Sequence, residues 1–257
     1  MIDLSKLTKG RQNKPPRLVV YGPHGIGKST FANDSGAVFI PTEDGLGTID
    51  LVAGSFPVAR SLDDVWSALK ALDGSGMPAV AIDTLDWLER LIHEDVMRSC
   101  PKRASSMMEA HGGYGKAYLI AMDIWHKVFR ALDNLREQGA AIILLAHTRI
   151  VEYQNPMGEN FDRYQLDLHS SKSISVPTRI MEWADAVLFA TYRINTRALG
   201  SDEEKRKGDV EHVGIGSGER VLYTEERPAF QAKNRYSLNP ELPFSWTALM
   251  AAMKGSN

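Results

Sequence analysis

Cysteine, long apolar runs and an excess of charge of either sign are scarce or missing in this chain. Its 257 residues include a single cysteine, Cys100, which excludes an intrachain disulfide and a zinc-finger type of metal site. No apolar stretch reaches the roughly 18 residues that a membrane-spanning helix needs. The formal net charge of −2 provides no strong field toward nucleic acid or a membrane surface. These absences predict a soluble cytoplasmic protein without a membrane partner.

Apolar runs alternate with amphipathic segments along the chain. Residues 18–21 and 140–146 are continuous apolar runs, as is typical of strands buried on both faces of a parallel sheet. Apolar residues spaced by three and four from Tyr114 to Leu132 predict one face of a long helix. This order predicts an α/β fold with a doubly wound, mainly parallel sheet. Later segments, such as residues 220–223, predict further strands, antiparallel ones, on the C-terminal side.

The chain is expected to form one domain over residues 17–257, preceded by a basic arm over residues 1–16. The arm contains several basic residues and a single acidic residue, Asp3. The arm could contact a polyanion, pack on a neighbouring subunit or be a solvated terminus, and these alternatives stay open. Residues 195–218 are charged and poor in apolar side chains, which predicts a mobile surface loop.

The segment GPHGIGKS at residues 22–29 matches the phosphate-binding pattern G-x-x-x-x-G-K-[ST] between a predicted strand and a predicted helix. Its glycines allow backbone N–H groups to point at phosphate oxygens, and the helix N-terminus adds partial positive charge. Lys28 is expected to reach the β- and γ-phosphates of ATP, and the Ser29 hydroxyl to ligate Mg²⁺. The expected nucleotide-binding residues are Gly22, Pro23, His24, Gly25, Ile26, Gly27, Lys28, Ser29 and Thr30.

Polar residues follow three other predicted strands at the same edge of the sheet. Asp83 is expected to hold Mg²⁺ together with Ser29, a role compatible with that of a helix N-cap. Glu43 is the best candidate for the base that polarises water, and Asp44 is the alternative. His147 could sense the γ-phosphate or could be a hydrogen-bonded structural residue, and both interpretations stay open.

These segments together resemble the RecA-like core of recombinases and helicases. FIPTE at residues 39–43, AIDT at 81–84 and LLAHTR at 144–149 are similar to the catalytic-glutamate segment, the second nucleotide motif and the sensor strand. The recombinases usually carry Gln where this chain has His147. The likeness is greatest to phage-encoded, core-only ATPases associated with single-strand annealing and recombination, over residues 15–250.

This resemblance implies ATP and Mg²⁺ as cofactors, single-stranded DNA as a partner, and assembly of this chain into a ring or filament. It also implies a phage protein in the cytoplasm of a bacterial host, with a single-strand-binding protein as one further candidate partner. AKNRY at residues 232–236 is similar to the K-N-R-F-G motif of bacterial RadA and of DnaB-type helicases, with Ser237 in place of Gly. Lys233 and Arg235 would then reach a neighbour's γ-phosphate, and the alternative is two exposed cations after a strand.

The resemblance also assigns two loops to DNA, within residues 99–116 and 149–172. Basic residues there would contact phosphates, and Tyr114 or Tyr153 could stack on a base, whereas the alternative is a pair of ordinary surface loops. The expected DNA-binding residues are Lys102, Arg103, Lys116, Arg149 and Lys172.

The leading hypothesis from the sequence is a DNA-stimulated ATPase of recombination or repair that promotes strand annealing or pairing. A helicase or helicase loader is one alternative. A nucleotide-gated module that binds single strands with little turnover is another. A small-molecule P-loop kinase is disfavoured, because no acceptor lid is evident and the cation pair would have no use there.

Overall fold

A computed structural model describes residues 14–199 and 211–255, and for residues 194–199 and 211–217 it describes the backbone alone. Residues 1–13 of the expected basic arm therefore lie outside the described residues. The strands are β1 (Arg17–Tyr21), β2 (Val38–Pro41), β3 (Ala79–Asp83), β4 (Ala141–Ala146), β5 (Thr148–Tyr153), β6 (Phe161–Leu166), β7 (Ala186–Leu199), β8 (Glu211–Tyr223), β9 (Lys233–Asn234) and β10 (Glu241–Pro243). The helices are α1 (Lys28–Asn33), α2 (Leu62–Leu72), α3 (Leu85–Arg98), α4 (Lys116–Glu137), α5 (Val176–Trp183) and α6 (Trp246–Gly255).

Eight strands of the described residues form the central sheet, in the order β10-β8-β7-β1-β4-β3-β2, with β9 paired to β7. The five strands from β7 to β2 run parallel to their neighbours. The pairs β7–β8, β8–β10 and β7–β9 are antiparallel. This arrangement confirms the predicted α/β fold with a mainly parallel sheet and antiparallel strands on the C-terminal side.

Both faces of the sheet are covered, which explains the continuous apolar runs of its strands. Val19 and Tyr21 of β1 pack into a core that includes residues of α2, α3, α4 and α5. Leu18 and Val20 point the other way, into a core with residues of α1 and α6. None of the helices in the described part of the chain is long and apolar enough to cross a membrane.

Helix α4 begins later than the sequence pattern predicts. The predicted apolar face starts at Tyr114, but the helix starts at Lys116, and Tyr114 is 97% exposed with a φ of 55°. Trp125, further along the same predicted face, is fully buried. The face is therefore confirmed except for its first residue, which lies in the glycine-rich segment before the helix.

The predicted loop over residues 195–218 is wrong where the structure describes it. Residues 195–199 continue β7, residues 211–218 belong to β8, and residues 200–210 lie outside the described residues. The two strands pair in register from Ile194 opposite Gly216 to Leu199 opposite Glu211. Antiparallel pairing satisfies the backbone groups of both strands, so strands can form here without an apolar pattern.

Candidate active site

The phosphate-loop segment, residues 22–27, connects β1 to α1 at the carboxyl edge of the parallel strands. Gly27 precedes α1 with a φ of 102°, a backbone conformation that favours glycine. A Cβ atom at Gly22 would lie 2.2 Å from the carbonyl oxygen of Ala190 on β7. The local backbone therefore requires glycine at both positions.

Lys28 lies folded over the phosphate loop. Its Nζ donates hydrogen bonds of 3.0 Å to the carbonyl oxygens of Gly22 and of Pro23. Burial lowers the pKa of Lys28, while the nearby carboxylates of Asp83, Asp86 and Glu43 oppose that effect. The ammonium group thus sits between the loop and a group of acids, where the phosphates of a nucleotide could take over its hydrogen bonds.

Ser29 of α1 and Asp83 of β3 are in contact at the carboxyl edge of the parallel strands. The Ser29 hydroxyl donates a 2.7 Å hydrogen bond to Oδ2 of Asp83, which ends β3 and is only 3% exposed. Burial raises the pKa of Asp83, and the hydrogen bond from Ser29 opposes that rise. A hydroxyl and a carboxylate at this distance are the hard oxygen donors that Mg²⁺ prefers, so this pair fits a magnesium ion.

Glu43 follows β2 at the same edge. The backbone N–H of Thr42 donates a 2.7 Å bond to the carbonyl oxygen of Asp83, which fixes this turn beside β3. Glu43 is partly buried, whereas Asp44 is exposed. Burial raises the pKa of Glu43, and the neighbouring His147 opposes that rise. Of the two acids weighed from the sequence, Glu43 is the one brought into the group.

His147 lies at the centre of the group because β4 runs between β1 and β3 in the sheet. Its Nε2 is 3.9 Å from Oε1 of Glu43. Its ring stacks on that of His24 in the phosphate loop, with centroids 3.8 Å apart. The structure therefore brings together His24, Lys28, Ser29, Glu43, Asp83 and His147.

Two residues near the site were missed from the sequence. Asp86, in the first turn of α3, accepts hydrogen bonds from His147, and its position three residues after Asp83 was the available signal. Arg220 of β8 donates from Nη1 to the carbonyl oxygen of Ile26 at 3.2 Å. The same Nη1 atom would lie 2.5 Å from a Cβ atom built at Gly27, so Arg220 packs closely against this glycine. No local sequence pattern predicts that Arg220 contacts the phosphate loop, because it lies 194 residues from Ile26 in the sequence.

Lys233 and Arg235 lie at the opposite edge of the sheet. Lys233 pairs with Val187 at the start of β7, and its Nζ donates to carbonyl oxygens at the end of α5. Arg235 forms a 3.3 Å ion pair with Asp185, which also binds Arg17. These cations are therefore remote from the phosphate loop of their own chain.

The expected DNA-binding residues lie in two different settings. Arg149 is half-buried, and its Nε has no hydrogen-bond partner among the described atoms. Its charge acts on the buried Glu89 of α3, so it faces inward. The other four side chains are exposed, namely Lys102, Arg103, Lys116 and Lys172.

The second segment assigned to DNA contacts α4 two residues after the end of the first segment, beside His93 of α3. The second segment includes the hairpin of β5 and β6, which follows His147 directly. The ring of His169, after this hairpin, stacks on that of Tyr118 in α4, with centroids 3.8 Å apart and an angle of 5°. Lys116 and Lys172 are two and three residues from this stacked pair in the sequence.

Comparison with known proteins gives one match that covers most of the chain. A family model described as an AAA domain matches residues 14–236. The matched range includes the phosphate loop, Asp83, His147 and Arg235. No curated protein matches the sequence.

Proposed function

The chain belongs to the AAA domain family of P-loop ATPases, and from this premise we propose that it uses ATP to act on single-stranded DNA. The proposed activity is DNA-stimulated ATP hydrolysis in recombination or repair, promoting the annealing or pairing of strands. The working form is an oligomer of this chain. The observation that carries the proposal is the Tyr118–His169 stack, which holds the segment that contains the exposed Lys172 against α4, two residues after the exposed Lys116.

In the proposed reaction, the phosphate-loop backbone and Lys28 bind the phosphates of ATP. Glu43 accepts a proton at its carboxylate from the water that attacks the γ-phosphate. Ser29 and Asp83 would hold Mg²⁺, which neutralises phosphate charge when bound. Support for these roles comes from the 2.7 Å contact of Ser29 with Asp83 and from the placement of Glu43 at the same edge.

The DNA part of the proposal is supported by exposure and by connectivity. Tyr114 is almost fully exposed in a segment with three glycines, where its ring is available to stack on a base. The hairpin segment begins at the residue after His147, so a change at the γ-phosphate has a direct covalent path to it. The modest net charge suits a weak, salt-sensitive affinity.

The oligomer part is supported by the position of Lys233 and Arg235. Because they lie at the far edge of the sheet, they can contact a γ-phosphate only in another subunit. Arg235 keeps 51% of its side chain exposed despite its ion pair with Asp185. An arginine supplied by a neighbour in this way stabilises the charge of the transferring phosphoryl group.

The deciding experiment is ATP hydrolysis by the purified protein with no DNA, with single-stranded DNA and with duplex, across a salt series. We expect strong stimulation by single strands that fades as salt rises. Lys28→Ala is expected to abolish hydrolysis, whereas Lys70→Ala, an exposed lysine on α2, is the matched control that retains it. Equal rates under all three DNA conditions would reject the DNA-stimulated activity.

A further inference from the structure

We propose that Asp86 is a positioning residue that makes Nε2 of His147 a hydrogen-bond acceptor beside Glu43. His147 and Glu43 would then together orient the water that attacks the γ-phosphate. This inference rests on the proposed ATP hydrolysis and adds a residue to it. Asp86 itself does not touch the reacting atoms, because it acts through the ring of His147.

Both oxygens of Asp86 are used by a single residue. Oδ1 accepts the backbone N–H of His147 at 3.1 Å, and Oδ2 lies 2.9 Å from the ring Nδ1. Asp86 and His147 are each only 7% exposed. Burial tends to raise the pKa of Asp86, but the hydrogen bonds that it accepts from His147 oppose that rise, and the pKa is lowered. The carboxylate is therefore ionised and buried against its partner.

This contact selects the tautomer of the ring. An ionised carboxylate only accepts hydrogen bonds, so the proton of a neutral His147 must lie on Nδ1. The lone pair then lies on Nε2, at the end of the ring that faces Oε1 of Glu43 at 3.9 Å. That separation is longer than a direct hydrogen bond. The two atoms form a pair of acceptors for the two O–H groups of one water.

The ring plane is fixed from a second direction. His24 stacks on His147 with an angle of 22° between the rings. His24 is exposed, and slight desolvation together with the nearby His147 and Lys28 lowers its pKa, which favours its neutral form in the stack. The phosphate loop thus holds one face of the ring while Asp86 holds its Nδ1 edge.

An acidic residue in a first helical turn usually stabilises the helix by facing the backbone N–H groups there. Asp86 occupies such a position in α3, yet the bonds that its oxygens make are to His147, on another element. Helix capping alone would therefore not explain the burial of the carboxylate. A purely structural role would leave kcat unchanged in a folded Asp86→Asn variant, whereas a positioning role would lower it.

The first test is a ¹⁵N–¹H spectrum of the ring nitrogens of His147 in the nucleotide-free protein, assigned with a His147→Gln variant. When the ring is neutral, we expect its proton on Nδ1. In Asp86→Asn, the side-chain NH₂ can face Nδ1, and we expect the proton to move to Nε2. A wild-type protein with its proton on Nε2 would overturn the proposal.

The second test is steady-state ATP hydrolysis by the same variants. We expect Asp86→Asn to lower kcat by about 10- to 100-fold, as for outer hydrogen-bond partners of functional histidines, with KM for ATP nearly unchanged. Asp86→Glu keeps the carboxylate and is expected to recover part of the loss. Asp95→Asn, on the outer part of the same helix, is the control with unchanged kcat.

The outcomes separate this inference from the proposed function. An unchanged kcat in folded Asp86→Asn would overturn the positioning role. If the wild-type protein hydrolyses no ATP under any DNA condition, the proposed function fails. The tautomer in nucleotide-free protein would still decide what Asp86 does to His147. Thermal unfolding of each variant identifies any that does not fold, and the wild-type spectrum needs no variant of Asp86.

Discussion

Glu89 is buried on α3 one turn after Asp86, beside the start of the segment that follows the hairpin. Its Oε2 accepts the backbone N–H of His169 at 2.8 Å, and its Oε1 has no partner among the described atoms. Burial raises the pKa of Glu89 to about 7, against the opposing effect of this hydrogen bond and of Arg149. The carboxyl therefore titrates near neutral pH at the joint between the nucleotide site and the hairpin.

The raised pKa of Glu89 predicts how stability depends on pH. In the unfolded chain the carboxyl titrates at about 4.3, so the folded state binds the proton more tightly. Its contribution to stability is complete below pH 4.3 and is lost as pH rises through about 7. Glu89→Gln cannot ionise, yet it keeps an acceptor for His169. We expect it to be more stable than wild type near pH 8 by on the order of 3 kcal/mol.

Urea unfolding near pH 5 and pH 8 measures this difference. The advantage of Glu89→Gln should be small near pH 5 and large near pH 8. Burial lowers the pKa of His93 to about 4, which acts in the opposite direction but is present in both proteins. Glu94→Gln, an exposed neighbour on the same helix, is the control without this pH dependence. Equal advantages at the two pH values would contradict the buried titration.

At the scale of elements, the segment that follows the hairpin of β5 and β6 contacts the start of α4 at the Tyr118–His169 stack. If Lys116 and Lys172 beside this stack contact phosphates, Ala substitutions there should weaken binding of single strands. Each lost contact should also reduce the slope of log affinity against log salt by about 0.7. Fluorescence anisotropy of a labelled oligothymidine across a salt series measures both effects.

Lys70→Ala serves as the control for that measurement, since it removes the same charge from the exposed surface of α2. Its effect reports the change in net charge alone. If the variants at residues 116 and 172 match Lys70→Ala in affinity and in salt slope, these two lysines do not contact DNA.

The elements predicted correctly are those whose signal is local. The strands β1 and β4 are continuous apolar runs, and the phosphate loop combines its glycines with a following helix, so each can be recognised within a few residues. The capping box of Ser61 and Asp64 at the start of α2 is a local signal of the same kind, because the two residues are three positions apart. The strand residues 195–199 and 211–218 were missed because backbone pairing between the two segments, and not an apolar pattern, defines them.

The contacts of the site that could not be predicted are tertiary. Asp86 reaches His147 only because β4 lies beside β3 in the sheet. Arg220 reaches Ile26 because β8 returns antiparallel along β7. The spacing of residues in the sequence does not predict which strands are neighbours, since strand order is decided by the packing of the whole sheet.

At the scale of the whole molecule, the position of Arg235 predicts complementation between variants. Arg235→Ala should bind ATP normally but turn it over slowly, because its phosphate loop is intact and its neighbour's cation is missing. Lys28→Ala has the reverse defect. Mixing the two should restore about one quarter of the wild-type rate, if subunits assemble at random in a head-to-tail order.

The control replaces Lys28→Ala in the mixture with the double variant Lys28→Ala/Arg235→Ala, which should restore nothing. Loss of folding does not explain the expected defect, because Asp185 keeps its ion pairs with Arg17 and Arg136. Full hydrolysis by a monomer, or by Arg235→Ala on its own, would reject the role of Arg235 in a neighbour's site.

The opposite placement of the phosphate loop and the cation pair also determines how many working sites an assembly contains. In the proposed head-to-tail arrangement, every complete site takes its loop from one chain and its cations from the next. An open filament of n chains then contains n − 1 complete sites, with a bare loop at one end and an unused cation pair at the other. A closed ring contains n, so the rate per chain rises with filament length and reaches its maximum on closure.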